Sequence, residues 1–378
     1  MTESMTRRER LLAVLAGQPT DRVPVMSGHF NEWRDDWKAA EPSYRRLVRF
    51  CRDRCDGILS WSAVPLNETS PGTSSPEARV ERQTTTRPDG AVETWTVIRT
   101  PRGPLTQCHL RQPGAGTVWT TEHLLKSADD FERLLSVPYE PVRYDASGFE
   151  TADRTIGQAG LVLCETADPL CMIADRSGME TYSVLAMTEP ELFTRLLDRF
   201  QMALKDHLRA CLAAGPVRFV RIYGPEYAVP PYLPGHLFDR YVVAYDRELI
   251  EMVHGVGAYV RVHSHGRVRA ILPKLVAMGA DATDPVEPPP LGDITLTEAK
   301  ALVGDRLTLC GNLELRDLET MSREEVAALT RRTLDEGMPG GRFALMPGAE
   351  PITIPLNPKL EENWMTYVDT ALEHGWYR

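Results

Sequence analysis

Three residues in the second half of the chain have the side chains of a metal site. His263 and His265 are two positions apart, and Cys310 follows later. At the end of a β-strand, residues i and i+2 point to the same side, so both imidazoles would project together. Two imidazoles and one thiolate suit Zn²⁺, and a catalytic zinc keeps a fourth position open for substrate. The alternative is a hydrogen-bonded histidine pair beside an inert, packed cysteine.

Other reactive side chains follow short apolar segments that we predict to be strands. Glu226 and Tyr223 are candidates for acid–base catalysis, and His29 is a third catalytic candidate. We predict substrate contacts for Trp33, Glu165, Asp168 and Tyr227. For Glu165 and Asp168 a structural role is the alternative, because carboxylates in such turns often cap backbone N–H groups.

An alternation of strands and helices would position these residues. Strands are predicted at Val23–Met26, Gly57–Trp61, Leu161–Glu165, Arg218–Tyr223, Tyr259–His263, Ala280–Asp284, Leu307–Cys310 and Arg342–Met346. Helices are predicted at Tyr44–Arg54, Glu189–Ala213, Leu237–Val256, Val268–Met278, Thr295–Val303, Arg323–Glu336 and Pro358–His374. Short apolar strands without polar alternation are typical of sheets buried on both faces.

Eight such strands predict a (β/α)8 (TIM) barrel, an α/β fold whose catalytic groups lie at the carboxyl ends of the strands. A doubly wound open sheet is the alternative, but it would normally have a glycine-rich phosphate loop after its first strand. Capping-box spacings mark two helix starts, at Thr6 with Glu9 and at Ser322 with Glu325.

One segment, residues 79–112, has the alternation of antiparallel strands instead. Val92, Thr94, Thr96 and Ile98 would share one face, and turns are expected near Gly90 and Gly103. We predict a β-rich insertion between the second and third barrel strands. The insertion would either cover the barrel mouth or make a subunit contact. In the second case the protein would be a homodimer.

Composition limits the classes of function. The chain has 378 residues and a net charge of −10, which argues against nonspecific nucleic-acid binding. No apolar stretch approaches the roughly 20 residues of a membrane span, and the polar start lacks a signal-peptide core. Seven scattered cysteines do not indicate a disulfide framework. We therefore expect a cytoplasmic, single-domain barrel over residues 1–378.

Several motifs resemble one superfamily, in the same order along most of the chain. They occupy residues 8–12, 17–25, 263–266, 271–273, 279–281, 285–287, 304–307, 310–312 and 340–343. Together they resemble the uroporphyrinogen decarboxylase superfamily, which also contains corrinoid-dependent methyltransferases. The resemblance implies a (β/α)8 barrel, in agreement with the strand count.

The resemblance favours the methyltransferase branch. The porphyrinogen decarboxylases carry Arg-Gln-Ala-Gly-Arg after the first strand to hold substrate carboxylates, whereas residues 27–31 here read Ser-Gly-His-Phe-Asn. They also place a histidine after the last strand, where residues 346–349 read Met-Pro-Gly-Ala. Zinc methyltransferases of the superfamily use a His-x-Cys pair and a later cysteine, which His263, His265 and Cys310 resemble. Because His265 replaces a thiolate, the zinc would be a stronger Lewis acid, or metal binding has been lost or redirected.

Three hypotheses follow. The first is a zinc-dependent methyltransferase or demethylase that moves a methyl group between a small methoxy or thiol substrate and cobalamin on a separate corrinoid carrier protein. The second is a metal-independent, decarboxylase-type lyase for a small carboxylate, with His29, Glu226 and the histidine pair as acid–base groups. The third is a non-catalytic binding partner, which the many reactive residues at one rim disfavour.

Overall fold

The computed structural model describes residues 3–377, so residues 1, 2 and 378 of the predicted domain lie outside the description. The strands are β1 (Gly57–Trp61), β2 (Val64–Pro65), β3 (Arg79–Thr86), β4 (Val92–Thr100), β5 (Gly103–Arg111), β6 (Trp119–Glu122), β7 (Tyr144–Asp145), β8 (Gly160–Ala167), β9 (Phe219–Tyr223), β10 (Tyr259–Ser264), β11 (Ala282–Pro285), β12 (Thr308–Leu313) and β13 (Phe343–Pro347).

The helices connect the strands of the larger sheet. They are α1 (Arg7–Leu15), α2 (Trp37–Ala40), α3 (Arg45–Arg54), α4 (Ala128–Leu135), α5 (Gly148–Ile156), α6 (Pro169–Ser177), α7 (Met179–Thr188), α8 (Pro190–Ala213), α9 (Ala244–His254), α10 (Leu272–Met278), α11 (Leu296–Val303), α12 (Leu315–Thr320), α13 (Arg323–Gly337) and α14 (Pro358–His374). Within the described residues, no helix combines the length and the apolar character that crossing a membrane requires.

The larger sheet has seven parallel strands in the order β1-β8-β9-β10-β11-β12-β13. This confirms a mixed α/β fold built on a large parallel sheet. The segment 23–26, predicted as a strand, forms a single parallel bridge between Val25 and Leu345. Its Met26 N–H donates to the Leu345 carbonyl over 2.9 Å, and the Asp56 N–H donates to the Val25 carbonyl over 2.8 Å. The segment therefore links β13 with the beginning of β1.

Both faces of the parallel sheet are buried. Alternate strand residues form one apolar cluster on one side, which includes Ile58, Leu163, Phe219, Cys310 and Met346. The residues between them face the helices in a second, larger cluster that includes Val162, Val220, Val262 and Leu309. Burial on both sides explains why these strands are apolar without polar alternation.

A four-stranded antiparallel sheet, β3-β4-β5-β6, lies in sequence between β1 and β8. Its turns include Gly90 and Gly103, both with positive φ, where glycine is the residue that adopts the conformation without strain. Thr94, Thr96 and Ile98 of β4 face a cavity on the inner side of this sheet, while Trp95 is exposed on the outer side.

Candidate functional site

The register of the parallel strands brings charged residues next to one another. Glu165 pairs with Arg221, which pairs with Arg261, across β8, β9 and β10. Two residues further along β10, His263 pairs with Asp284 of β11. His263 and Asp284 lie near the carboxyl ends of their strands, where parallel α/β folds carry their active sites, and the two arginines lie one layer below them in mid-strand.

Three potential metal ligands converge there. His29, His263 and Asp284 form the one group, among the residues described, of three His, Cys, Asp or Glu ligand atoms that all lie within 4.8 Å of one another. His263 Nδ1 lies 2.8 Å from Asp284 Oδ2, and His29 Nε2 lies 3.3 Å from the same oxygen. The His29 and His263 ring centroids are 4.9 Å apart.

Neighbouring charges set the protonation of this group. Burial alone would raise the pKa of Asp284, but Arg261 and His263 hold it well below its usual range. Arg261 Nε lies 3.0 Å from Asp284 Oδ1, and both side chains are almost completely buried. Burial lowers the pKa of His29 to about 3, so its imidazole is neutral at neutral pH. The group therefore presents a carboxylate and a neutral imidazole, the forms that bind metals.

His265 and Glu287 form a second pair beside the first. His265 Nδ1 lies 2.8 Å from Glu287 Oε1, and the Gly266 N–H donates to Glu287 Oε2 over 2.6 Å. Burial opposes protonation of His265, but the hydrogen bond and charge of Glu287, and then the charge of Glu226, raise its pKa. The His263 and His265 ring centroids are 4.6 Å apart, so the two histidines are neighbours.

Cys310 packs in the apolar cluster on one side of the sheet and is 2 % exposed. Burial raises the pKa of its thiol to about 12, with the Arg261 and Asp284 charges nearby. The structure thus places Cys310 next to the arginine–aspartate pair, and His265 toward Glu287. The zinc set predicted from the sequence, His263, His265 and Cys310, remains a prediction.

A cavity of about 330 Å³ lies beside His29 and His263. Among its lining residues, four are cationic and three are anionic, namely Arg34, Lys38, Arg221, Arg261, Asp36, Glu165 and Glu350. Arg221 forms an ion pair with Glu165 and contacts His29 Nδ1. The cavity is therefore polar and charged, and of a size that suits a small molecule.

The remaining predicted residues do not line this cavity; they are Trp33, Asp168, Tyr223, Glu226 and Tyr227. Asp168 is fully buried and caps α6, its Oδ1 accepting from the Cys171 N–H over 2.6 Å. Trp33 packs near Gly57 at the beginning of β1 and does not line the cavity. Tyr227 donates its hydroxyl to Asp175 over 3.1 Å, and Glu226 accepts from the Gly224 N–H over 3.2 Å.

Two arginines that line the cavity were not predicted from the sequence. Arg221 and Arg261 occupy the middle of β9 and β10, between apolar residues. A charged residue inside a strand that is buried on both faces needs a partner of opposite charge. An arginine in the middle of an apolar strand sequence could therefore have indicated a site residue. Each stands two positions before a predicted site residue, Tyr223 or His263, on the same side of its strand.

Comparison with known proteins identifies the family. The sequence model of the uroporphyrinogen decarboxylase (URO-D) family matches residues 168–373, which is more than half of the chain. The chain belongs to this family. Its fold is similar to that of a methyltransferase from Methanosarcina mazei, with a TM-score of 0.60, 18% identity, and coverage of 98% of this chain and 99% of the other. A search of curated protein sequences gave no match.

Proposed function

We propose that this protein transfers a methyl group between a small methoxy or thiol substrate and a corrinoid held on a separate carrier protein. Membership of the URO-D family supports this function, as does the likeness over almost the full chain to a fold that serves a methyltransferase. The observation that carries the proposal is the convergence of His29, His263 and Asp284 beside a charged cavity.

We further propose that these three residues hold a zinc ion. His29 Nε2 is buried without a hydrogen-bond partner among the described residues, and Asp284 Oδ2 lies 3.3 Å from it. A cation bound between them would compensate for this burial, while Arg261 holds the other carboxylate oxygen, Asp284 Oδ1, at 3.0 Å. Two imidazoles and one carboxylate form a donor set of catalytic zinc. The set His263, His265 and Cys310 is the alternative, and the two sets share His263.

The residues around the metal would manage substrate and protons. When bound, zinc would act as a Lewis acid toward the substrate heteroatom. Glu226 would accept or return the proton of that heteroatom. Burial raises the pKa of Tyr223 to about 12, so its hydroxyl stays protonated and can donate a hydrogen bond. Arg221 and Arg261 would orient a substrate that carries negative charge.

Metal content and methyl transfer together test this proposal. The purified protein is expected to contain one zinc per chain and to transfer methyl groups between methoxy or thiol compounds and free cobalamin, followed by absorbance. His29→Ala should lose zinc and activity, whereas Cys310→Ser should retain zinc. The reverse result would favour the alternative ligand set. A protein without zinc and without cobalamin-dependent methyl transfer would contradict the proposal.

A decarboxylase-type lyase is the second candidate, and the cationic side chains that line the cavity favour it. Arg221 and Arg261 line the cavity with Arg34 and Lys38. Three of these four cations already have a carboxylate partner in Glu165, Asp284 or Glu350, so Arg34 is the cation best placed to meet a small carboxylate substrate. Such an enzyme would use His29, Glu226 and the histidine pair for proton transfer. It would keep its activity after treatment with a chelator, whereas the methyltransferase would lose it.

We also propose that the parallel sheet closes into a (β/α)8 barrel, with the segment 23–26 as the remaining strand. The hydrogen bonds of this segment to Leu345 and Asp56 support closure. The antiparallel sheet would then be an insertion between the second and third strands of one domain. In this arrangement the proposed metal ligands lie at one end of the barrel, and the corrinoid carrier protein would bind at the same end.

A further inference from the structure

A second cavity, of about 550 Å³, lies between the antiparallel sheet and α6. Its lining shares no residue with the cavity beside His29. One wall is the sheet face that carries Thr94 and Thr96, and the opposite wall includes Ser70 and Arg176. The lining is rich in hydroxyl and charged groups, so its occupant would have to be polar.

Arg176 is the unusual group in this lining. Its Nη1 donates to the Met172 carbonyl over 2.9 Å, and its guanidinium carbon lies 5.4 Å from the Phe200 ring centroid. These contacts fix the side chain in place. Among the described residues, no carboxylate lies close enough to form an ion pair with it. Asp175 and Glu68 of the same lining act on Arg176 through their charges from beyond ion-pair distance, so the half-buried guanidinium retains donors for an anion.

The acidic residues of the lining already have partners of their own. Asp175 accepts from the Tyr227 hydroxyl over 3.1 Å, and Glu68 accepts from the Gly72 N–H over 2.7 Å. Ser70 is a second, independent sign of a missing ligand, because it is 2 % exposed and its hydroxyl has no partner among residues 3–377. Buried hydroxyls are normally hydrogen-bonded.

We propose that this cavity binds a small organic carboxylate, held by Arg176 and by the hydroxyl groups of Ser70 and the β4 threonines. The site goes beyond the proposed methyl transfer, since it is separate from the cavity at the strand ends. Its wall includes Asp175, which accepts a hydrogen bond from Tyr227 in the segment that follows β9.

Titration calorimetry on the intact protein tests the site with acetate, succinate, citrate and benzoate as probes, and with inorganic phosphate as a separate arm. At least one carboxylate is expected to bind. Arg176→Gln should weaken that binding by about tenfold or more, because charge-assisted hydrogen bonds are lost. Arg199→Gln is the matched control, since Arg199 also lies over an aromatic ring and donates to a carbonyl but lies outside the cavity. It should leave the affinity unchanged.

Two further variants keep the test decisive. Thr96→Phe should fill the cavity and abolish binding without removing Arg176, so the result does not depend on how well Arg176→Gln folds. Arg221→Gln alters the cavity beside His29 and should not change the affinity. Carboxylate binding that depends on Arg221 but not Arg176, binding of phosphate alone, or no binding at millimolar concentrations would each overturn the proposal.

Discussion

The reactive residues of this protein acquire their properties from what surrounds them. Burial lowers the pKa of His29, and the charges of Arg261 and His263 lower the pKa of Asp284 despite its burial, so a neutral imidazole lies beside an ionised carboxylate. The histidines could be predicted from the sequence because they follow apolar strands. Asp284 as their partner could not, because the pairing depends on the register between β10 and β11.

Glu32 allows a test of how burial changes the pKa of a single carboxyl group. It is 1 % exposed, its Oε1 has no partner among the described residues, and burial raises its pKa to about 7. A raised carboxyl pKa means that the folded protein binds an extra proton between the ordinary pKa of 4.5 and about 7. This contribution to stability is present at low pH and is lost as the pH rises through that window.

We therefore expect Glu32→Gln to stabilise the protein at about pH 8 but not at about pH 5, by at most ~3 kcal/mol. The amide retains a hydrogen bond to the Ser27 hydroxyl. Urea unfolding at both pH values measures the difference, and the exposed Glu324→Gln is the control. An equal effect of Glu32→Gln at the two pH values would contradict the raised pKa.

At the scale of elements, local signals fixed the helix ends better than periodicity did. The capping boxes at Thr6 and Ser322 are both formed. The helix predicted over 268–278 begins only at Leu272, because a proline such as Pro273 fits the first turn of a helix but not its interior. The helix predicted over 237–256 is present over 237–254, but it winds as a π-helix at Asp239–Val243 before α9, a change of winding that residue spacing does not reveal.

The capping box of α13 can be tested directly. Ser322 accepts a hydrogen bond from the Glu325 N–H over 3.3 Å, and Glu325 accepts in return from the Ser322 N–H over 2.7 Å. Ser322→Ala should lower the free energy of unfolding by about 1 kcal/mol, measured in urea. Ser322→Asp should match the wild type, because aspartate also caps; an equal loss in both variants would point to another cause.

Close approach of β1 and β8 depends on Gly160. A Cβ atom at this position would lie 1.8 Å from the Gly57 carbonyl oxygen, and a backbone atom cannot move aside as a side chain can. Gly160→Ala should therefore destabilise the fold by about 1–3 kcal/mol or more, measured by thermal unfolding. Gly235→Ala is the control, since nothing lies within 4 Å of its Cβ. Equal stability of the two variants would mean that the strands are further apart.

For the whole molecule, one buried carboxylate joins the two ends of the parallel sheet. Asp56 accepts hydrogen bonds from Arg10 of α1 and from Arg22, each over 2.6 Å, and from the Val25 N–H over 2.7 Å. The Arg10, Arg22 and Asp56 side chains are at most 1 % exposed. The sequence predicts α1, the segment 23–26 and β1, but not their connection through Asp56. These elements meet only because of the way in which the sheet curves.

Asp56→Asn should lower the free energy of unfolding by about 3 kcal/mol, since two arginines would lose a buried counter-charge. Because Asp56 connects α1, the segment 23–26 and β1, the loss should affect one cooperative transition rather than fray one end. Tryptophan fluorescence and far-UV circular dichroism should then report the same lowered midpoint in urea. The exposed Asp53→Asn should leave that midpoint unchanged. Separate transitions in Asp56→Asn would instead show that the first segment can detach while the remaining strands stay folded.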